Sequence, residues 1–194
     1  MSKGQNTLPT MAYKVDKPLV LIGMMGAGKS SLGKQLAKHL DLPFFDADNE
    51  IEAAANMSIP EIFEKHGEAA FRDGERRVIR RLIQNGPQIL ALGGGAFMNA
   101  DTRAEIKQYG ISLWLDVALD ELVDRVKRKP GKRPLLKGTD VRAKLNDLLA
   151  TRGPVYAEAD IRTKLSRADH MKALATMLKD IETYLKQSDE KGQS

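Results

Sequence analysis

Leu19-Val20-Leu21-Ile22 runs directly into Gly23-Met24-Met25-Gly26-Ala27-Gly28-Lys29-Ser30, and a helical pattern of Leu32, Gln35, Leu36, His39 and Leu40 follows. An apolar run, the pattern G-x-x-x-x-G-K-[ST] and an amphipathic stretch in that order admit few architectures, because they require a strand, a tight turn and a helix in immediate succession. Glycines let such a turn point its backbone N–H groups inward, which makes it a cradle for phosphate oxygens. Lys29 is spaced to reach the β- and γ-phosphates of a nucleotide, and Ser30 carries a hydroxyl where a Mg²⁺ ligand is expected. The contact set predicted for the phosphates is Gly26, Ala27, Gly28, Lys29, Ser30 and Ser31. The plainer alternative is a glycine-rich turn with a solvated lysine, and it does not account for both flanks.

Beyond this stretch, short apolar runs alternate with helical patterns, as in α/β proteins built on a parallel sheet. The expected strands are Leu19–Ile22, Phe44–Phe45, Ile89–Leu92, Ile111–Leu115 and Ile161–Leu165; the last alternates Arg162 and Lys164 with apolar residues, as an edge strand does. Ser58-Ile59-Pro60-Glu61 has capping-box spacing with a proline in the first turn, so a helix starts there and Gly67 ends it. A longer helix runs through Val78, Ile79, Leu82 and Ile83 to the breaker Asn85-Gly86-Pro87. A helix over Leu119–Arg128 leads into Lys129-Pro130-Gly131-Lys132-Arg133-Pro134, whose prolines and glycine enforce a loop. Its bases, with Arg128, suit a flap over a polyphosphate; an exposed basic loop is the alternative.

At 194 residues the chain is sized for one domain, and its net charge of +5 suits anionic ligands. Aromatic residues are only 5%, with no aromatic-basic platform, which argues against nucleic-acid binding. The absence of cysteine excludes disulfides, thiolate metal sites and a thiol nucleophile, and fits the cytoplasm. No apolar run suits a signal peptide or a membrane span. The polar stretches before Pro18 and from Gln187 to Ser194 are aperiodic and are expected to be mobile ends flanking one domain over residues 18–186. No Asn-Lys-x-Asp segment for guanine is present, which disfavours a GTPase switch.

Three further clusters bear on the second substrate. Asp46-Ala47-Asp48 ends the second strand, where one carboxylate can assist a metal and the other orient or deprotonate a hydroxyl; helix capping by Asp48 is the alternative. Ile89-Leu90-Ala91-Leu92 ends in Gly93-Gly94-Gly95, and three consecutive glycines suggest close approach of a ligand at the carboxyl edge of the sheet. Arg72, Arg133 and Arg152 are either surface charges or bidentate grips for carboxylate and phosphate. The histidines His39, His66 and His170 have no metal or triad spacing and read as surface or helix-end residues.

Together the segments GMMGAGKS, DAD, FRDGE, ALGGG, RPLL and RGPVY resemble the shikimate kinase family, in order, from about Pro18 to Leu185. The resemblance implies a three-layer P-loop kinase fold with a five-stranded parallel sheet flanked by helices, plus a substrate-binding segment and a lid near residues 128–138. It implies a monomer that phosphorylates the 3-hydroxyl of shikimate with ATP and Mg²⁺. On that carry-over Lys29 holds the β- and γ-phosphates, Ser30 ligates Mg²⁺ and Asp46 assists it through water. Asp48 is base or orienting group, Arg72 and Arg152 clamp the carboxylate, and Gly93, Gly94 and Gly95 close on the ring. Arg133 arrives with the lid, and Arg128 stacks on the base. Ser31 and Leu92 depart from residues often found at those positions, and the adenine loop is expected near Ser166 to His170. A gluconate-type kinase and a catalytically silent binding module are the rival readings.

Overall fold

The computed structural model describes residues 8–128, 140–166 and 169–192. Its strands are β1 (Leu19–Ile22), β2 (Phe44–Asp46), β3 (Ile89–Ala91), β4 (Ile111–Val117) and β5 (Ile161–Leu165). Its helices are α1 (Lys29–Leu40), α2 (Ala47–Ala55), α3 (Ile59–Ile83), α4 (Ala100–Tyr109), α5 (Leu119–Lys127), α6 (Val141–Tyr156) and α7 (His170–Gly192), with a short 3₁₀ turn at Ala96–Met98. All strand pairs are parallel, in the order β2-β3-β1-β4-β5. This is a three-layer α/β arrangement, with helices on both faces of a five-stranded parallel sheet.

β1 is central because its four residues are apolar and a middle strand is covered on both faces; Leu19, Val20 and Leu21 are fully buried. Each such side chain stabilises the fold by about 1.5–3 kcal/mol. β5 is an edge strand whose alternation matches the expectation: Ile161, Thr163 and Leu165 face in, and Arg162 and Lys164 face out. β4 extends past the expected Leu115 to Val117, because the Asp116 carboxylate accepts from Arg162 on β5 at 2.8 and 3.0 Å and so keeps a charged residue in the strand.

α3 begins with the expected capping box, in which the Ser58 hydroxyl accepts from the Glu61 N–H and the Glu61 carboxylate accepts from the Ser58 N–H at 2.8 Å. Gly67 breaks the helical path with φ 78° and ψ 175°, a conformation essentially confined to glycine, and the chain resumes helix to Ile83. Gly67 therefore ends the first helical stretch as expected, and α3 is two helices joined across that residue.

Described residues near each end of the chain make contacts or helix within the stretches expected to be aperiodic. Val15 is 5% exposed, Leu8, Met11 and Tyr13 pack against the core, and the Ala12 N–H donates to Glu182 of α7 at 3.0 Å. α7 continues to Gly192, beyond Gln187 where an aperiodic tail was expected, because Gln, Asp, Glu and Lys are good or neutral in exposed helix and no stop signal intervenes. No helix among the described residues is long and apolar enough to cross a membrane.

Candidate active site

The turn between β1 and α1 has the geometry its glycines permit: Gly23, Gly26 and Gly28 take φ values of 134°, 84° and 96°. Lys29 Nζ donates to the carbonyls of Gly23 and Met24 at 2.8 and 3.1 Å, so the lysine lies across the loop it serves. From the other side Arg125 of α5 donates to the Gly26 and Ala27 carbonyls at 3.3 and 3.0 Å and pairs with Glu121. Holding those carbonyls outward turns the N–H groups of the same peptide planes inward. Arg125, in the last turn of α5, carries no motif signal and is not singled out by sequence.

A cavity of about 740 Å³ opens over this loop, lined on one side by Gly26, Gly28, Lys29, Ser30 and Ser31 and on the other by Asp46, Asp48, Gly93 and Gly94. Arg128 and His170 also line it; His170 opens α7 as expected of a helix-end residue, and its Nδ1 lies 3.2 Å from Gln35 Nε2. The Ser30 hydroxyl donates to Asp46 Oδ2 at 2.5 Å. A hydroxyl that gives its proton to Asp46 presents lone pairs elsewhere, and the oxygen pair fits Mg²⁺, which keeps waters and phosphate oxygens for the rest of its shell. No cluster of three acidic, histidine or cysteine side chains that could cage a metal occurs among the described residues.

Of the two carboxylates, it is not Asp48, the alternative weighed from the sequence, that caps the helix. Asp46 is the N-cap of α2, accepting from the Asp48 N–H at 3.2 Å. Asp48 is thereby released from capping and lies half-buried in the first turn. Burial, and then the Asp46 charge, push its carboxyl above the ordinary range, against the pull of Lys29 and Arg72.

The three glycines after β3 each face a different charged side chain. A Cβ on Gly93 would lie 2.8 Å from Asp48 Oδ1, on Gly94 3.4 Å from Arg152 Nη1, and on Gly95 3.2 Å from both terminal nitrogens of Arg72. The turn thus brings together the acid and the two arginines singled out in the sequence, from α2, α3 and α6. Arg72 is held by Glu75 at 2.8 Å and more loosely by Glu68 at 3.4 Å. Burial opposes the charge on Arg72, but Glu75 and Glu68 outweigh it and strengthen its hold on the proton. Glu75 is 4% exposed, and burial pushes its carboxyl up despite Arg72. Its i,i+3 spacing from Arg72 inside FRDGE is the signal that sequence reading passed over. Arg133 and residues 129–138 of the expected lid lie outside the described residues, as do Arg167 and Ala168 of the expected adenine loop.

A phosphate-cradling loop at the carboxyl edge of a five-stranded parallel sheet, with an acid and paired arginines across one cavity, defines a P-loop small-molecule kinase. The shikimate kinase family profile matches residues 25–182, and the chain belongs to that family. It is 52% identical over 170 residues to a shikimate kinase of Rhodopseudomonas palustris, spanning 88% of this chain and 83% of the relative. A shikimate kinase of Caulobacter vibrioides is 52% identical over 162 residues, spanning 84% of this chain and 80% of the relative. Among solved structures, a shikimate kinase from Acinetobacter baumannii in complex with shikimate superposes with a TM-score of 0.82 at 35% identity, covering 89% of this chain and 96% of that one. A gluconokinase from Sinorhizobium meliloti, at 16% identity and a TM-score of 0.56, shares the fold alone.

Proposed function

We propose that this chain transfers the γ-phosphoryl group of ATP to the 3-hydroxyl of shikimate, giving shikimate 3-phosphate and ADP on the route to the aromatic amino acids. The observation that carries the reading is the convergence of Asp48, Arg152 and Arg72 on Gly93, Gly94 and Gly95 beside the phosphate loop. One acid and two cations on a bare backbone turn suit a small polyhydroxylated carboxylic acid: arginines take the carboxylate through paired hydrogen bonds, and the acid takes a hydroxyl.

Phosphoryl transfer depends on positioning and charge stabilisation more than on covalent chemistry. The loop amides from Gly26 to Ser31 bind the phosphates, with Lys29 on the β- and γ-oxygens. Asp48 orients the acceptor hydroxyl and draws on its proton. Arg133 enters with a lid over residues 128–138 and stabilises charge on the transferred group. Ser30 and Asp46 hold Mg²⁺, which when bound supplies neutralisation of phosphate charge. Residues 18–186 act as one unit, monomeric and cytoplasmic, with no nucleic-acid or membrane partner; the small soluble substrates and the cysteine-free composition support this.

A coupled ADP-release assay with shikimate, gluconate and nucleoside monophosphates as acceptors tests the reading. Turnover with shikimate alone is expected. No rate above background with shikimate, alongside a rate with another acceptor, overturns it.

A further inference from the structure

The segment Arg152-Gly153-Pro154-Val155-Tyr156 contains a residue to which the reaction above gives no part. Tyr156 closes α6 and is 1% exposed. Its ring packs at 36° to Trp114 with centroids 5.9 Å apart. Its hydroxyl donates to the Gly94 carbonyl, and the same oxygen accepts from Arg152 Nη1 at 2.8 Å. Burial pushes the phenol above its ordinary value of 10.0, while the neighbouring Arg152 guanidinium pulls it back. It therefore keeps its proton, and its role as donor, at neutral pH.

A carbonyl oxygen has two lone pairs, so Tyr156 and Arg152 together satisfy the Gly94 acceptor. Two donors from one helix fix the peptide plane between Gly94 and Gly95. The peptide is trans, so fixing the carbonyl also fixes the direction of the Gly95 N–H. The turn is bounded on its other side by the phosphate loop: a Cβ at Gly94 would lie 3.6 Å from the Met25 nitrogen and 3.7 Å from the Gly23 oxygen. The Tyr156 hydroxyl thus sits where α6, the triple-glycine turn and the carboxylate-gripping arginine meet.

We propose that Tyr156 is a positioning residue for the acceptor: through the Gly94 carbonyl that it shares with Arg152, its hydroxyl holds the triple-glycine turn and the Arg152 guanidinium in the register that receives the acceptor carboxylate. This rests on the acceptor being a small carboxylic acid, as argued above. A hydroxyl serving only the core would have a different signature, since its removal would lower stability and leave the two substrates equally affected.

The test is Tyr156→Phe, which keeps the ring on Trp114 and removes one donor, assayed with whichever acid the unaltered protein phosphorylates. The acceptor KM is expected to rise about five- to tenfold, from the loss of one buried hydrogen bond, while the ATP KM stays within about twofold. Because the two donors share one oxygen, Tyr156→Phe and Arg152→Lys combined are expected to raise the acceptor KM by about threefold less than the product of the single effects. An unchanged acceptor KM, equal rises in both KM values, fully multiplicative effects, or a variant that melts below the assay temperature each overturns the inference. If the unaltered protein ignores shikimate and phosphorylates another acid, the acceptor assignment fails while the role of Tyr156 is still decided by the same comparison.

Discussion

Burial and the Asp46 carboxylate raise Asp48 above its ordinary value of 3.8, and Lys29 and Arg72 only partly restore it. A raised carboxyl is one the folded protein protonates more readily than the unfolded chain does. Its stabilising contribution is complete below 3.8 and is lost as pH rises through the folded-state value, so at neutral pH the ionised group weakens the fold. The proposed role of Asp48 needs that ionised form, and on that proposal the acid limb of the kcat/KM profile should fall above the ordinary carboxylate range. Asp48→Asn should abolish most turnover, leave ATP affinity near normal and raise the melting midpoint at pH 7 by about 2 °C. Calorimetric melting beside a turnover assay checks both parts, and undiminished turnover removes Asp48 from its role. The convergence of Asp48, Arg72 and Arg152 on one turn was anticipated from charges at motif positions, although the sequence alone also allowed capping and surface roles. Glu75 and Tyr156 were not legible: a glutamate in a charged helix reads as solvated, and a tyrosine near a helix end reads as packing. Only the fold shows that both turn inward, Glu75 onto Arg72 and Tyr156 onto the Gly94 carbonyl.

α3 contains two glycines whose substitution should have opposite effects, although neither has any neighbour within 4 Å of a Cβ. At Gly67 the backbone conformation excludes other residues, and Gly67→Ala should cost about 1–3 kcal/mol. At Gly74 the backbone is ordinary helix, and Gly74→Ala should stabilise by about 0.5–1 kcal/mol. Urea unfolding of the two variants measures the contrast, and a loss of stability at Gly74 would contradict the open, helical environment of that position. The same helix illustrates what element-level sequence reading captures. Its start was legible from Ser58, Pro60 and Glu61, and its interruption from Gly67, because caps and positive φ are local properties. The ends of β4 and α7 were not, because Asp116 stays in its strand through a partner on β5, and no glycine or proline precedes Gly192 to break α7 where its apolar pattern fades.

On the scale of the molecule, the order β2-β3-β1-β4-β5 places the strand before the phosphate loop between the strand that ends in the triple glycine and the strand that leads to α5. Sequence alternation predicted a parallel sheet but not this order, which depends on crossovers that no single segment encodes. The protein's sole tryptophan, Trp114, lies on β4 where these parts meet. Its Cδ1 is 3.4 Å from where a Cβ on Gly23 would sit, its ring packs on Tyr156, and the Arg162 guanidinium lies 4.5 Å above it. One indole therefore borders the first residue of the phosphate loop and, through Tyr156, the triple-glycine turn proposed to receive the acceptor. Its emission should change saturably when ATP is added and again when shikimate is added, with midpoints matching the calorimetric affinities; flat emission during either calorimetrically observed binding event would disprove the connection. The position of Trp114 thus equips the protein with an intrinsic optical reporter, able to follow the order in which its two substrates arrive without any label being attached.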